Sequence, residues 1–260
     1  MTMRFGICTG LDNLELVASS GFDYVELSLA SLSAMTDEEF TKAVRKVQAS
    51  GIKVERCNLL FPKTLRVIGL EARPDAIRDY LVLAFDRMRR LGASMVVFGS
   101  GKSRSLDASQ SYVEGFRELV GITRMTADIA SEYGITIVIE ELNRDETNMI
   151  NSLVEAAALV AAVDRDNVAM LADLYHILKE NEPMEHVTRV RDFKHVHIAT
   201  SHGRCFPTIK EEEVASFFKA LKVCGYNGTM SIEGRCEHLG EDARLALEIL
   251  RSYDKELSDE

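Results

Sequence analysis

Short strand-like runs and longer helix-like segments alternate eight times along this sequence. The strand-like runs cover residues 4–9, 24–29, 53–60, 94–99, 135–142, 168–174, 195–200 and 228–233. Segments with the 3.6-residue period of amphipathic helices cover residues 11–20, 37–50, 75–91, 109–133, 152–163, 184–190, 211–224 and 241–253. Strict alternation of this kind predicts an α/β fold, a parallel sheet closed into a single (β/α)8 TIM barrel over residues 1–260.

The chain length and the helix ends agree with one barrel domain. The sequence has 260 residues, 46% of them hydrophobic, which is enough for a large core. Thr36 followed by Glu39 has the spacing of a capping box, and Gly92 follows the last periodic residue of its segment. An open doubly wound sheet is the alternative fold. It is disfavoured because neither the Gly-Ser-Gly loop at residues 99–101 nor any other loop completes a GxGxxG fingerprint.

Composition argues against several classes of partner. The formal net charge is −10, and no basic stripe is interleaved with aromatic residues, so we expect no nucleic-acid partner. No apolar run reaches about 18 residues and no basic start precedes an apolar stretch, so we expect no membrane partner and a cytoplasmic location. The five cysteines are widely spaced, without a CxxC pair, which predicts free thiols: Cys8, Cys57, Cys205, Cys224 and Cys236.

Four of the strand-like runs end on a side chain that can bind a metal ion. These residues are Glu140, Asp173, His197 and Glu233. Because parallel strands in a barrel end on one face, their side chains should lie together. Three carboxylates and one imidazole suit Mn²⁺, Mg²⁺ or a similar octahedral ion better than a closed thiolate zinc site. His195 shares the parity of His197 and is predicted to lie one layer deeper, in the core.

The segments around these residues resemble the motifs of a known family. They are Glu140-Glu141-Leu142-Asn143-Arg144-Asp145-Glu146, Asp173-Leu174-Tyr175-His176, His195-Val196-His197 and Ser231-Ile232-Glu233. They are similar to motifs of the xylose-isomerase-like TIM-barrel superfamily, in particular its sugar isomerase/epimerase branch, which includes the ketose 3-epimerases. The resemblance extends over nearly the whole chain.

The resemblance implies a metal site and a set of substrate contacts. It implies one divalent ion, with Mn²⁺ preferred and Mg²⁺ or Co²⁺ as alternatives, on Glu140, Asp173, His197 and Glu233. It also implies that Glu146, His176 and Arg204 contact substrate oxygens. Two departures concern the substrate: the segment that holds Arg204 is offset by one residue, and Gly234 and Arg235 replace the Pro that is common in the epimerases.

The predicted function is a metal-dependent sugar or sugar-phosphate isomerase or epimerase. An ion bound to a substrate carbonyl acidifies the neighbouring C–H and stabilises an enediolate. Glu140 and Glu233 are the predicted catalytic residues, one removing the proton and the other returning it. Return to the opposite face inverts the carbon, whereas return to the neighbouring carbon gives aldose–ketose isomerisation. The expected partner is a small-molecule sugar or sugar phosphate. Assembly into a homo-oligomer is an open alternative.

Two loop features bear on the substrate. The basic residues Lys102, Arg104, Arg144, Arg204 and Arg235 all follow strands. They predict either a pocket for a phosphate or carboxylate, in which Lys102 and Arg235 bind substrate, or cations that are solvated or paired with the site's own acids. Residues 60–74 form a long loop after the third strand, and its apolar residues form either a lid or ordinary packing: Phe61, Leu65 and Ile68.

Three other functions compete with this prediction. An inosose-dehydratase-like lyase would use the same ion and enediolate to expel a hydroxyl as water, with His176 as a candidate proton donor. An endonuclease-IV-like hydrolase is more distant, because the histidines it would need are replaced by residues 57–58 and 98–99 at the ends of the third and fourth strands. A non-catalytic binding module is disfavoured by the complete ligand set.

Overall fold

Eight parallel strands close into a barrel in the computed structural model, which describes residues 3–258. Each strand pairs with the next in sequence, and the last pairs with the first. The strands are β1 (Arg4–Cys8), β2 (Tyr24–Ser28), β3 (Val54–Asn58), β4 (Met95–Phe98), β5 (Thr136–Ile139), β6 (Val168–Asp173), β7 (Phe193–Ile198) and β8 (Thr229–Ile232). All eight predicted strands are present, and the predicted TIM-barrel fold is confirmed.

Ten α-helices surround the barrel within the described residues, with a short 3₁₀ turn at Leu11–Asn13. They are α1 (Leu14–Ser19), α2 (Leu29–Ser33), α3 (Asp37–Ser50), α4 (Pro74–Leu91), α5 (Tyr112–Glu132), α6 (Leu153–Val163), α7 (Leu174–Lys179), α8 (Glu185–Val190), α9 (Glu212–Val223) and α10 (Leu239–Ser258). The predicted capping box of Thr36 and Glu39 begins α3. Gly92 ends α4 in the left-handed conformation, as its position predicted.

The helices α2 and α7 were not predicted, and both begin directly at the end of a strand. The predicted strands ran one residue too far into each of them. Ser28 accepts a hydrogen bond from the backbone N–H of Ser31, and Asp173 accepts one from Tyr175, so each side chain caps a helix. With five and six residues, the two helices are too short to display a helical period in the sequence.

The inside of the barrel has an apolar part and a polar part. Met95, Val97, Val138 and Leu171 form a separate apolar cluster inside β4, β5 and β6. Residues of β2, β7 and β8 fill the opposite side with polar groups, namely Tyr24, Glu26, His195, His197 and Ser231, all of them buried. A Cβ atom at Gly6 of β1 would lie 2.2 Å from the Tyr24 ring, so the missing side chain makes room for that ring. His195 is buried one layer below His197, as predicted.

The long loop after β3 packs as part of the core. Phe61 and Ile68 are buried, and the Phe61 ring meets Phe98 edge to face with centroids 5.2 Å apart. The backbone N–H of Phe61 donates to Ser100 Oγ at 3.0 Å, and Ser103 Oγ donates to the Pro62 carbonyl at 2.9 Å. The loop is therefore fastened to the loop after β4, in agreement with the packing alternative rather than the lid.

The prediction of free thiols also finds support. The five cysteines are free, and no disulfide joins any of them. Over the part of the chain that the structure covers, no helix combines the length and the apolar character that a membrane span requires.

Candidate metal centre

The four predicted metal ligands meet at the carboxyl ends of β5 to β8. Asp173 is the last residue of β6, and His197 is the last but one of β7. Glu140 and Glu233 directly follow β5 and β8. Each offers one ligand atom, and these four atoms all lie within 4.8 Å of one another. Parallel strands with matched ends bring them together, because Asp173 is in register with His197 and His197 with Ser231.

His197 presents one ring nitrogen to the cluster and the other to the barrel interior. Its Nδ1 lies 3.3 Å from Glu140 Oε1 and 3.5 Å from Glu233 Oε2. Its Nε2 lies 3.1 Å from Glu26 Oε1, one layer deeper. Burial alone lowers the pKa of His197, but the nearby acids, Glu26 first among them, raise that pKa well above its usual value.

The two carboxylates predicted to be catalytic lie in different electrostatic surroundings. Burial raises the pKa of Glu140 above its ordinary value, although the nearby His197 side chain acts to lower it. Burial also acts to raise the pKa of Glu233, but the charges of His197 and Arg204 outweigh it and lower that pKa. Asn58 Nδ2 donates to Glu233 Oε1 at 2.9 Å, which fixes the ionised carboxylate.

A missing side chain at Gly99 makes room for the Glu140 carboxylate. A Cβ atom there would lie 1.9 Å from Glu140 Oε2. This distance is far below any real contact, so residue 99 must be glycine for Glu140 to keep its position. Gly99 directly follows β4, so the end of that strand limits the position of a predicted ligand on the neighbouring strand, Glu140.

Asp173 carries the observation that best fits a bound cation. Its Oδ1 accepts a hydrogen bond from the Tyr175 N–H at 2.8 Å, and its own N–H donates to Glu141 Oε1 at 2.9 Å. Its Oδ2 is buried and has no hydrogen-bond partner among the described residues, since Arg204 Nη2 and His176 Nε2 approach it only to 3.7 Å and 3.6 Å. A buried carboxylate oxygen without a donor is costly, and a divalent cation among four such ligands would satisfy it. The residues present therefore fit the predicted ion.

The three residues that the resemblance linked to substrate lie at the rim of this centre. His176 Nδ1 accepts a hydrogen bond from the Asn143 N–H at 3.1 Å, so its proton is on Nε2. This Nε2–H faces Asp173 Oδ2 at 3.6 Å and has no hydrogen-bond partner within residues 3–258. Arg204 forms ion pairs with Glu233 and, at 3.2 Å, with Glu146. All three thus present polar groups next to the predicted ligands.

The five basic residues for which a shared anion pocket was one of two alternatives do not act as a group. Arg104 is fully buried, and its guanidinium donates to the carbonyl oxygens of Phe98 and Glu140, both at 2.7 Å. Arg144 forms an ion pair with Glu180. These two arginines stabilise loops and do not line an anion pocket, because chain position after a strand does not set the direction of a long side chain.

Lys102 and Arg235 have different positions relative to the centre. Lys102 is exposed and lines a cavity of about 530 Å³ at the barrel mouth, together with Phe61 and Glu146. A cavity of this size holds a small molecule. Arg235 is also exposed, and its backbone N–H donates to the Arg204 carbonyl at 2.7 Å. No contact between the Arg235 guanidinium and the predicted ligands is present within the described chain.

Glu26 and Asn58 belong to the centre but were not identified in the sequence. Glu26 is fully buried in β2, and Asn58 is the last residue of β3. A signal for Glu26 was present, because a carboxylate flanked by Val25 and Leu27 inside an apolar strand requires a buried partner. For Asn58 the sequence offers no comparable signal, since polar residues at strand ends are common.

Comparison with known proteins agrees with this architecture. The model of the family described as xylose isomerase-like TIM barrel matches residues 14–253. L-ribulose 3-epimerase of Methylomonas sp. (strain DH-1) is 36% identical over 116 residues, which are 44% of this chain and 40% of that protein. The chain thus matches less than half of the length of that relative. A 2-oxo-tetronate isomerase of Haemophilus influenzae is 28% identical over 245 residues, 90% of each protein.

A solved structure shows the same fold over almost all of both chains. D-allulose 3-epimerase from Methylomonas sp., in complex with D-allulose, superposes with a TM-score of 0.83 over 97% of each chain, at 22% sequence identity. Since the family model covers most of the sequence, the protein belongs to the xylose isomerase-like TIM barrel family.

Proposed function

We propose that this protein is a divalent-metal-dependent sugar epimerase that inverts a carbon next to a carbonyl through an enediolate. The observation that carries the proposal is the gathering of Glu140, Asp173, His197 and Glu233, one ligand atom of each within 4.8 Å of the others. The names of the relatives support this reaction class, because those compared here are an epimerase of a ketose and an isomerase of a sugar acid.

The metal ion would be held by these four residues. When bound, Mn²⁺ or, as alternatives, Mg²⁺ or Co²⁺ would polarise the substrate carbonyl as a Lewis acid. The buried Oδ2 of Asp173, which accepts no hydrogen bond from the described residues, supports this assignment.

The protein's own carboxylates would move the proton. Glu233 and Glu140 follow strands β8 and β5, which are three strands apart in the barrel, and both approach the same His197 nitrogen. A sugar bound between them would present opposite faces to the two carboxylates. One carboxylate removes the proton and the other returns it from the opposite face, which inverts the carbon.

His176 and Arg204 would orient the substrate and stabilise the charge that develops on it. The unpaired Nε2–H of His176 is a hydrogen-bond donor in a buried position. Arg204 brings a permanent positive charge against Glu233 and Glu146. Donors that are already oriented toward developing negative charge lower the barrier without reorganisation.

A solvent-exchange experiment tests the proposal. The protein is incubated in D₂O with a panel of free ketoses, with and without added Mn²⁺, and the products are analysed by NMR. We expect Mn²⁺-dependent conversion to the epimer, with deuterium at the inverted carbon. Glu233→Gln should abolish the exchange, whereas Glu132→Gln, at an exposed position in α5, should leave it unchanged.

Three outcomes would contradict the proposal. Conversion without any deuterium incorporation would exclude proton transfer with solvent-exchangeable groups. A dehydrated product would support the lyase, in which the His176 Nε2–H protonates the leaving hydroxyl. Absence of bound metal in elemental analysis, together with an unchanged melting temperature on chelation, would exclude the metal centre.

A further inference from the structure

We propose that Glu26 is the positioning residue that holds His197 with Nδ1 toward the metal centre. The inference depends on the metal centre of the proposed function. It adds a residue from β2 that is not among the predicted ligands and that reaches the centre only through His197. The cluster formed by Glu26, His195, His197 and Ser231 is called the buried hub below.

Glu26 accepts three hydrogen bonds inside the barrel and is completely shielded from solvent. Its Oε1 lies 3.1 Å from His197 Nε2. Its Oε2 lies 2.9 Å from His195 Nε2 and accepts from Ser231 Oγ at 2.6 Å. Both oxygens are therefore engaged, and each partner approaches with an atom that can donate a proton.

The groups next to the hub, Tyr24 and Thr229, are compatible with this direction of donation. The Tyr24 hydroxyl lies 2.9 Å from Ser231 Oγ, so it can donate to that oxygen while Ser231 donates to Glu26. His195 Nδ1 lies 2.8 Å from Thr229 Oγ1, whose hydroxyl can donate to it, and 2.9 Å from the Thr229 carbonyl oxygen, to which a proton on Nδ1 would be donated. With His195 protonated on Nε2, every polar side-chain atom of the hub has a partner in the described structure.

The arrangement decides which nitrogen of His197 is unprotonated and offers its lone pair toward the metal centre. Three carboxylates surround this ring, at 3.1 Å (Glu26), 3.3 Å (Glu140) and 3.5 Å (Glu233). Without Glu26, a proton on Nδ1 would be held by Glu140 and would block that nitrogen from an ion. Glu26 keeps the proton at Nε2 and leaves Nδ1 free for the cation. Carboxylates that hold a ligating histidine in this way strengthen metal binding.

The decisive variant is Glu26→Gln. Glutamine has nearly the same shape, but its amide offers only one acceptor oxygen, so it cannot accept from both histidines. We expect Mn²⁺ affinity, measured by isothermal titration calorimetry, to fall about ten- to a hundredfold. Tyr24→Phe is the matched control, because it removes a buried hydrogen bond of the same network but leaves all three donors to Glu26 in place. Its Mn²⁺ affinity should equal that of the wild type.

A second measurement on the wild type does not depend on the folding of any variant. The ¹⁵N NMR spectrum of His197 should show a protonated Nε2 in the metal-free protein and in the Mg²⁺-loaded protein. In the Mg²⁺-loaded protein, Nδ1 should be unprotonated. A histidine that packs without this role would be free to carry its single proton on Nδ1 and leave Nε2 unprotonated.

Two results would overturn the inference. One is an unprotonated Nε2 on His197 in the wild type, and the other is a Glu26→Gln protein that binds Mn²⁺ as tightly as the wild type. If the wild type binds no ion at all, the proposed metal centre fails. The state of Nε2 in the metal-free protein then still decides whether Glu26 positions the ring.

Discussion

At the scale of single residues, Gly99 controls the position of a predicted metal ligand through the side chain that it lacks. Any Cβ atom at this position would overlap the Glu140 carboxylate. Because Glu140 is buried and has the His197 ring on its other side, it has little room to withdraw. The position of the carboxylate is thus set by a neighbouring strand end as much as by its own backbone.

We therefore predict that Gly99→Ala displaces Glu140 and weakens Mn²⁺ binding by about tenfold or more, as loss of support for a ligand does. Calorimetric titration with Mn²⁺ measures the effect. Gly121→Ala is the control, since nothing lies within 4 Å of a Cβ atom there. Gly121 is exposed inside α5, and its replacement should raise the free energy of unfolding by about 0.5 to 1 kcal/mol. Wild-type affinity in Gly99→Ala would show that Glu140 is not needed for binding.

The sequence identified the candidate ligands at the strand ends but not the residues that support them. Asp173 and His197 are recognisable because each ends an apolar run, and strand parity then fixes the side on which each lies. For Arg104 the sequence left two alternatives open, because its backbone follows β4 while its side chain turns back into the protein to reach two carbonyl oxygens. Side-chain direction in a loop depends on tertiary contacts, which periodicity does not encode.

At the scale of elements, the loop between β3 and α4 is a packed segment. Phe61 contacts Phe98 and, with centroids 5.8 Å apart, Tyr80. The backbone N–H of Val67 donates to the Ser103 carbonyl at 2.9 Å, which extends the contact with the loop after β4. This loop forms one wall of the cavity at the barrel mouth.

Phe61→Ala should destabilise the protein by about 3 to 5 kcal/mol, because it removes a buried aromatic ring from a packed core. Leu70→Ala in the same loop is the control, since Leu70 is 83% exposed. Its effect should stay within about 0.5 kcal/mol. Urea denaturation followed by circular dichroism gives both values. A small loss of stability in Phe61→Ala, together with impaired turnover, would instead support a mobile lid.

The loops after β4 and β8 differ in what they offer an anionic substrate. Lys102 lines the cavity, whereas Arg235 makes no described contact with the centre. If the substrate carries a phosphate or carboxylate, Lys102→Gln should weaken its apparent binding by about tenfold, the contribution of one charge-assisted hydrogen bond. Arg235→Gln should have a smaller effect. Steady-state kinetics with a matched pair of neutral and anionic sugars makes the comparison, and equal effects of Lys102→Gln on both sugars would contradict it.

The short helices α2 and α7 show why element boundaries were the least predictable part of the fold. Both begin within a residue of a strand end, so the chain changes from extended to helical without an intervening loop. Their caps, Ser28 and Asp173, are residues that also occur in turns and strand ends. The longer helices, such as α3 and α4, extend over enough turns for their apolar period to be evident.

At the scale of the whole molecule, the closed barrel collects acidic groups from the ends of three strands onto one face. A folded chain with a net charge of −10 and a cluster of buried carboxylates carries unfavourable repulsion there. His197 and Arg204 offset part of it. A divalent cation would offset the rest, so metal binding should contribute to the stability of the entire fold.

We predict that Mn²⁺ raises the melting temperature and that a chelator reverses the change. At a free concentration of about 100 times the dissociation constant, the gain in free energy of unfolding should be about 2.7 kcal/mol. Asp173→Asn should lose this gain and still fold, because the amide oxygen can keep the cap on Tyr175 while the charge is removed. Thermal denaturation with and without Mn²⁺ measures both. An equal Mn²⁺ effect in Asp173→Asn would exclude Asp173 as a ligand.

The contact between Gly6 and Tyr24 has a consequence for how related sequences can diverge. The ring occupies the volume that a side chain on β1 would need, with 2.2 Å between the ring and a Cβ atom at residue 6. Substitution at either position alone creates a clash or a cavity, so the two sites should change as a compensating pair. Any homologue with a larger residue at position 6 should have lost the ring at position 24. Such a homologue would then need another donor for Ser231, and its evolutionary path to a different barrel interior would pass through paired replacements.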